Sequence, residues 1–237
     1  FLIMPGKTHT YTEAEGMNYV NILFDLKQLK ISVADLHNLY GYHALFNVEP
    51  KLRKQHHFES HLSLGAEDAA TLTVLISQLE DELSAKRPGY RFMACTRLMA
   101  IIGYLSRCHS RTDSPLTLPI KQVSDVLIFM NNHYNESITL SQLARIGHMS
   151  VTALVQLFRR ATGVSPIRYL IRIRITKAAE LLQQGNVRVT EAAMKCGFLD
   201  SNYFSRQFRK VTGISPRQFR VSPRALNLIN KQTPSLE

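Results

Sequence analysis

Residues suited to chemistry concentrate between Cys196 and Arg220, in the stretch CGFLDSNYFSRQFRKVTGISPRQFR. Phe204 and Phe208 follow an apolar knob at Phe198 with helical spacing, Asp200 supplies a helix start, and Gly213-Ile214-Ser215-Pro216 supplies a stop. Between the apolar positions stand Ser201, Asn202, Ser205, Arg206, Arg209 and Lys210. Hydroxyl, carboxamide and guanidinium groups on one helix face can bond the edges of bases, and cationic heads hold phosphates. Such a helix is a candidate reader of nucleic acid.

The same phrase occurs earlier. FRRATGVSPIRYL at 158–170 and FRKVTGISPRQFR at 208–220 share Phe, Arg, Thr, Gly, Ser and Pro at an offset of fifty positions. Upstream the offset is one less, pairing Ala144 with Ala193 and Met149 with Phe198, which predicts one inserted residue in the second copy. Each copy reads as a short helix, a tight turn and a basic second helix, so the chain carries two helix-turn-helix units.

These units need positioning elements. A first helix is expected from about Lys121 to Asn135, burying Val123, Leu127, Met130 and Tyr134. A supporting helix follows from Leu140 to Gly147, and Ser150 caps the first recognition helix, which buries Leu154 and Phe158 and turns Thr152, Val155, Gln156 and Arg159 outward. Ser165-Pro166 then opens a linker helix of about 20 residues, roughly 30 Å long. That length is close to the separation of about 34 Å between successive major-groove faces. Arg172 on the linker is expected to contact phosphate, with Arg168, Arg174 and Lys177 as further candidates.

The phrase G-F-x-D-S-x-Y-F-S-x-x-F-[RK]-[RK]-x-x-G-x-S-P, with the region from Pro119 to Arg220, resembles the DNA-binding domain of the AraC/XylS family of bacterial transcription regulators. The resemblance covers a little under half of the chain. It implies a sequence-specific regulator, an activator, that binds double-stranded DNA as a homodimer on direct repeats and works with RNA polymerase. In the rhamnose-responsive activators of the family the second helix carries a similar D-S-N phrase, which puts Asp200 and Asn202 at base-contacting positions. The residue-level alternative for Asp200 is an N-cap alone.

Composition agrees with that implication. Residues 1–120 hold 12 Lys/Arg and 12 Asp/Glu, whereas 121–237 hold 17 and 6, so all of the net charge of +11 lies on the half with the repeat. With 45% apolar residues and no long apolar run, the expectation is a cytoplasmic protein with no membrane partner. Cys95, Cys108 and Cys196 match neither a zinc site nor a disulfide framework, and Cys196 reads as a core thiol. An alkyl-transfer repair enzyme of related domain organisation would need a Pro-Cys-His-Arg motif, which is missing, so the protein is not expected to be an enzyme and no cofactor is implied.

The first half reads less clearly. Residues 1–24 suggest two antiparallel strands, and PGKTHTY resembles the closing hairpin of the family's sugar-binding cupin barrel. Two strands cannot enclose a ligand. The chain is then either a fragment of a longer effector-responsive regulator or an effector-independent one governed by abundance; an effector site stays unknown, with a small molecule such as a sugar as the candidate. His56, His57 and His61 lack metal-ligand partners at a known spacing and read as a solvated connector. Two helices follow, 66–86 and 90–108. Their stripes Leu72, Leu75, Ile76, Leu79, Leu83 and Phe92, Cys95, Met99, Ile102, Leu105 serve as core or as a dimer seam, and both options are open.

The expected architecture is mainly α. A partial effector and dimerisation domain spans 1–110, with a cupin-like β remnant at 1–24 and a helical hairpin at 65–110. A linker at 111–119, a DNA-binding domain of two helix-turn-helix units at 120–222, and a tail at 223–237 complete it.

Overall fold

The structure, a computed structural model, describes residues 19–24, 34–47, 62–111, 118–185 and 187–221. Nine helices longer than one turn are found among them: α1 Ala66–Ala85, α2 Tyr90–Ser110, α3 Leu118–Asn132, α4 Leu140–Ile146, α5 Val151–Thr162, α6 Pro166–Gln183, α7 Val189–Lys195, α8 Ser201–Thr212 and α9 Pro216–Val221. Ahead of α1, a 3-10 turn at Ala34–Asn38 and one continuous helical stretch from Tyr40 to Asn47 form a bridging segment.

The described residues contain no strand of the pair expected over 1–24. Residues 1–18 lie outside the described residues, and 19–24 carry no strand. Ile22 and Phe24 instead pack on the α1–α2 hairpin, while Tyr19, Val20 and Leu23 are exposed. Apolar alternation is satisfied by lying on a helix pair as readily as by pairing in a sheet. His56, His57 and His61 also fall outside the described residues.

Arg87-Pro88-Gly89 breaks the hairpin as its composition dictates, with Gly89 left-handed at φ 84°. Leu79 is buried against α2, and Leu72, Leu75 and Ile76 pack around it, but Leu83 remains 48% exposed. On α2 the buried face is Ala94, Leu98, Ile101 and Ile102. Of the expected stripe, Ile102 is buried and Met99 and Leu105 pack against the hairpin core, but Phe92 at its start is corrected: it is 71% exposed, and Ala94 and Leu98 fill that end of the face instead.

Three cores result. One joins α1, α2 and the bridging segment; a second joins α3, α4, α5 and the start of α6; the third joins the rest of α6 to α7, α8 and α9. The bridging segment belongs to two of them. Tyr42 packs with Leu79 and Leu98, whereas Ala44 and Leu45 are buried with Ile120, Val123 and Leu127. Gly41 approaches α2 so closely that a Cβ there would overlap the Ser106 carbonyl, and its N–H donates to Ser110 Oγ at 2.9 Å. The helical hairpin is thereby packed onto the basic half instead of hanging from a loose connector.

Candidate nucleic-acid interface

The duplication seen in the sequence is reproduced in the caps and stops of the two helices, with the cap bond reaching the third residue in the first copy and the second in the other. Ser150 caps α5 by accepting from Ala153 N at 3.2 Å, and Asp200 caps α8 by accepting from Asn202 N at 2.7 Å. Both helices stop at a left-handed glycine, Gly163 at φ 77° and Gly213 at φ 82°, each donating to the carbonyl four residues back at 2.8 Å. Thr162 and Thr212 each donate to a carbonyl of the preceding turn at 2.8 Å and lie beside a carbonyl two residues on. This bond turns the chain sharply into Ser-Pro and the next helix.

The turns between supporting and recognition helices also correspond. Met149 N donates to Ala144 O, and Phe198 N to Ala193 O, at 2.9 and 3.0 Å. His148 and Gly197 occupy equivalent positive-φ positions at 52° and 80°. The extra residue of the second copy is Leu199, which is fully exposed. Cys196 is buried beneath this turn, and that burial pushes its thiol up to about 11, away from the reactive thiolate.

Each recognition helix buries one narrow stripe: Leu154, Phe158 and Ala161 on α5, and Phe204, Phe208 and Thr212 on α8. The face opposite is exposed. On α5 it presents Thr152, Gln156, Arg159 and Arg160; on α8, Asn202, Arg206, Arg209 and Lys210. These are the same four positions fifty residues apart, although Arg160 is absent from the sequence-based site. The offset to Lys210 would have found it. Val155, Ser201 and Ser205 are half-buried on the flank, and Ser205 donates its hydroxyl back to Ser201 O at 2.9 Å. Asp200 is exposed, with one oxygen committed to the cap.

The linker helix divides its cations by use. Arg168 is exposed and Arg172 half-buried, its pKa lowered by that burial. Lys177 pairs with Glu180 at 3.0 Å. Arg174 turns inward: its Nε donates to Tyr134 O and an Nη to Glu136 O, both at 2.6 Å, and its guanidinium lies 5.8 Å from the Phe198 ring centre. The expectation that Arg174 is a phosphate contact is therefore corrected, because both bonded edges of its fork serve backbone carbonyls. Beside α8, Arg217 and Arg220 of α9 line a shallow groove with Ser205 and Ser215. Neither was singled out from the sequence, since the helix appeared to end at Gly213.

A family profile described as a helix-turn-helix domain matches residues 143–222. The HTH-type transcriptional activator RhaR of Enterobacter sp. (strain 638) is 29% identical over 93% of this chain and 74% of its own length, and that of Salmonella dublin is 28% identical over the same shares. Among solved structures, a probable AraC family transcriptional regulator from Rhodopseudomonas palustris CGA009 is 29% identical over 42% of this chain and 94% of its own, with a TM-score of 0.40. The DNA-binding domain of the global transcriptional factor AdpA, in complex with a target DNA, is 31% identical over 44% and 94%, with a TM-score of 0.42. The helix-turn-helix region is of the AraC type.

The chain is accordingly a sequence-specific DNA-binding transcription regulator and not an enzyme. The paired helix-turn-helix units form the candidate nucleic-acid interface, and the repeated outward faces of α5 and α8 are its two candidate reading surfaces. No helix among the described residues is long and apolar enough to cross a membrane.

Proposed function

We propose that this AraC-type regulator is a cytoplasmic activator that lays α5 and α8 into successive major-groove segments of double-stranded DNA. The reading rests on one observation above all: two helices with matching caps, stops and buried stripes present equivalent polar faces, and α6 joins them. At 18 residues α6 is about 27 Å long, comparable with the groove repeat of about 34 Å. Thr152, Val155 and Gln156 make methyl and amide contacts to one segment. Asn202 and Arg206 read the other, with Asp200, Ser201 and Ser205 at its edge; Arg159, Arg172, Arg209 and Lys210 hold phosphates.

Activation, through contact with RNA polymerase, follows from the resemblance to the RhaR activators. Control by a small molecule such as a sugar and homodimer binding to direct repeats follow from the same family resemblance. The dimerisation stripe of Leu72, Leu75, Leu79 and Leu83 is supported most at Leu83, which is exposed near the hairpin tip with Phe92 and Met93. Selection from a randomised duplex library tests the reading. Two informative clusters about 10 base pairs apart are expected within each half-site of the direct repeat, with Asn202→Ala and Arg206→Ala changing one cluster of each pair alone; a single cluster per half-site overturns it. Affinity for the selected duplex that no sugar alters would favour regulation by abundance.

A further inference from the structure

Two of the three cores carry the recognition helices, and little joins them. Leu170 of α6 belongs to the first, Ile175 and Ala178 of the same helix to the second, and Tyr134 packs against both. A single helix joining two small cores permits rocking, and slight rotation at its middle moves α8 relative to α5. Arg174 sits at that middle. Its two 2.6 Å bonds reach past the end of α3 to Tyr134 O and Glu136 O, carbonyls of the first unit, while its guanidinium lies over the ring of Phe198 in the turn of the second, 5.8 Å from the ring centre.

The intervening residue closes the joint. Gly197, at φ 80°, lies so near the first unit that a Cβ would stand 2.8 Å from Asn135 O and 3.1 Å from Arg174 Cζ. Backbone thus meets backbone across the junction, and Arg174 bonds the carbonyls on either side of the contact. A guanidinium suits this better than an ammonium, because its rigid fork aims separate donors at two acceptors, whereas the donors of an ammonium radiate from one nitrogen.

We propose that Arg174 is a positioning residue that locks the two helix-turn-helix units into one reading head of fixed helix-to-helix separation, and so sets how strictly the protein measures the distance between two DNA segments. The proposal rests on the reading that both α5 and α8 enter the groove. One base pair more or less between the segments displaces the second by about 3.4 Å and turns it by about 35°. A rigid head must then distort the duplex or give up contacts, whereas a loose head follows.

The test uses the full chain and duplexes selected by it from a random library, remade with one base pair added or removed between the two clusters. For the parent, either change should weaken binding about tenfold or more. Arg174→Met, which keeps the apolar stem and loses the donors, should reduce that penalty to about twofold while leaving the preferred bases and salt slope unchanged. Arg174→Lys should fall between them, and supplies the measurement should the Met variant not fold; circular dichroism establishes folding for both. A folded variant with the parental spacing penalty overturns the proposal and leaves the two-helix reading standing. A uniform loss with the salt slope reduced by about one overturns it in favour of a phosphate contact. A parent indifferent to spacing overturns both readings together.

Discussion

Arg206 and Arg172 carry the same charge on different surfaces. Arg206 stands on the exposed face of α8, opposite buried Phe204 and Phe208, where a guanidinium can bond both acceptors of one guanine. Arg206→Ala should cost about 1–3 kcal/mol at the correct base and relax preference there. Arg172 is half-buried on α6, and its loss should weaken all sequences alike and lower the salt slope by about one. Binding of both variants to a randomised-site library distinguishes them; altered base preference in Arg172→Ala alone would place the wrong helix in the groove. At this scale the sequence was informative about Phe204, Phe208 and the two glycine stops, since burial stripes and left-handed ends are local. It was uninformative about Arg174, whose acceptors lie about forty residues away in the chain.

Among the elements, the bridging segment carries a group sensitive to pH. His43 is fully buried, with Nε2 2.8 Å from His37 O and Nδ1 2.8 Å from Asn47 Nδ2. That geometry suits the neutral ring, with Nε2–H donating to the carbonyl and Nδ1 accepting from the amide. Burial lowers its pKa from 6.5 to about 4; His37 is lowered to about 4 by burial and by Lys177. Both folded values lie below the ordinary one, so the unfolded chain takes up the proton first. The stabilisation is complete above about pH 6.5 and is lost as pH falls towards 4, by about 3 kcal/mol for His43. Thermal unfolding from pH 7.5 to 4.5 should show the decline, and His43→Gln should flatten it.

On the hairpin, Leu79 and Leu83 differ in the same decisive way. Leu79→Ala empties a buried site and should cost about 2–5 kcal/mol without changing the oligomer. Leu83→Asp should leave a folded protein that sediments as a monomer. A soluble dimer from that variant would move the seam elsewhere.

For the whole molecule, charge and packing divide differently. The net charge of +11 lies entirely beyond residue 120, so affinity should fall steeply with salt, each neutralised phosphate adding about 0.9 to the slope of log affinity against log salt. A slope near zero in a titration from 50 to about 200 mM salt would exclude phosphate binding by this half. Packing respects no such boundary. Ala44 and Leu45 fill the core formed by Ile120, Val123 and Leu127, so a fragment beginning at Leu118 should bind the selected duplex but unfold at a lower temperature than the full chain.

The sequence by itself determined what is local or repeated: the helix stops at Gly163 and Gly213, the caps at Ser150 and Asp200, the buried stripes of α5 and α8, and through them the likeness to AraC-type DNA-binding domains. Helical period and turn chemistry act over a few residues, so they are legible in the order of residues. Tertiary structure alone decided which cations face outward, that Tyr19 to Phe24 lie without a strand beside a helical hairpin, that α2 buries Leu98 and not Phe92, and that the bridging segment belongs to two cores. These outcomes depend on contacts between residues far apart in the chain. Arg168 and Arg174 are alike as members of a basic amphipathic helix, and only the arrival of the Tyr134 and Glu136 carbonyls turns the second into a brace.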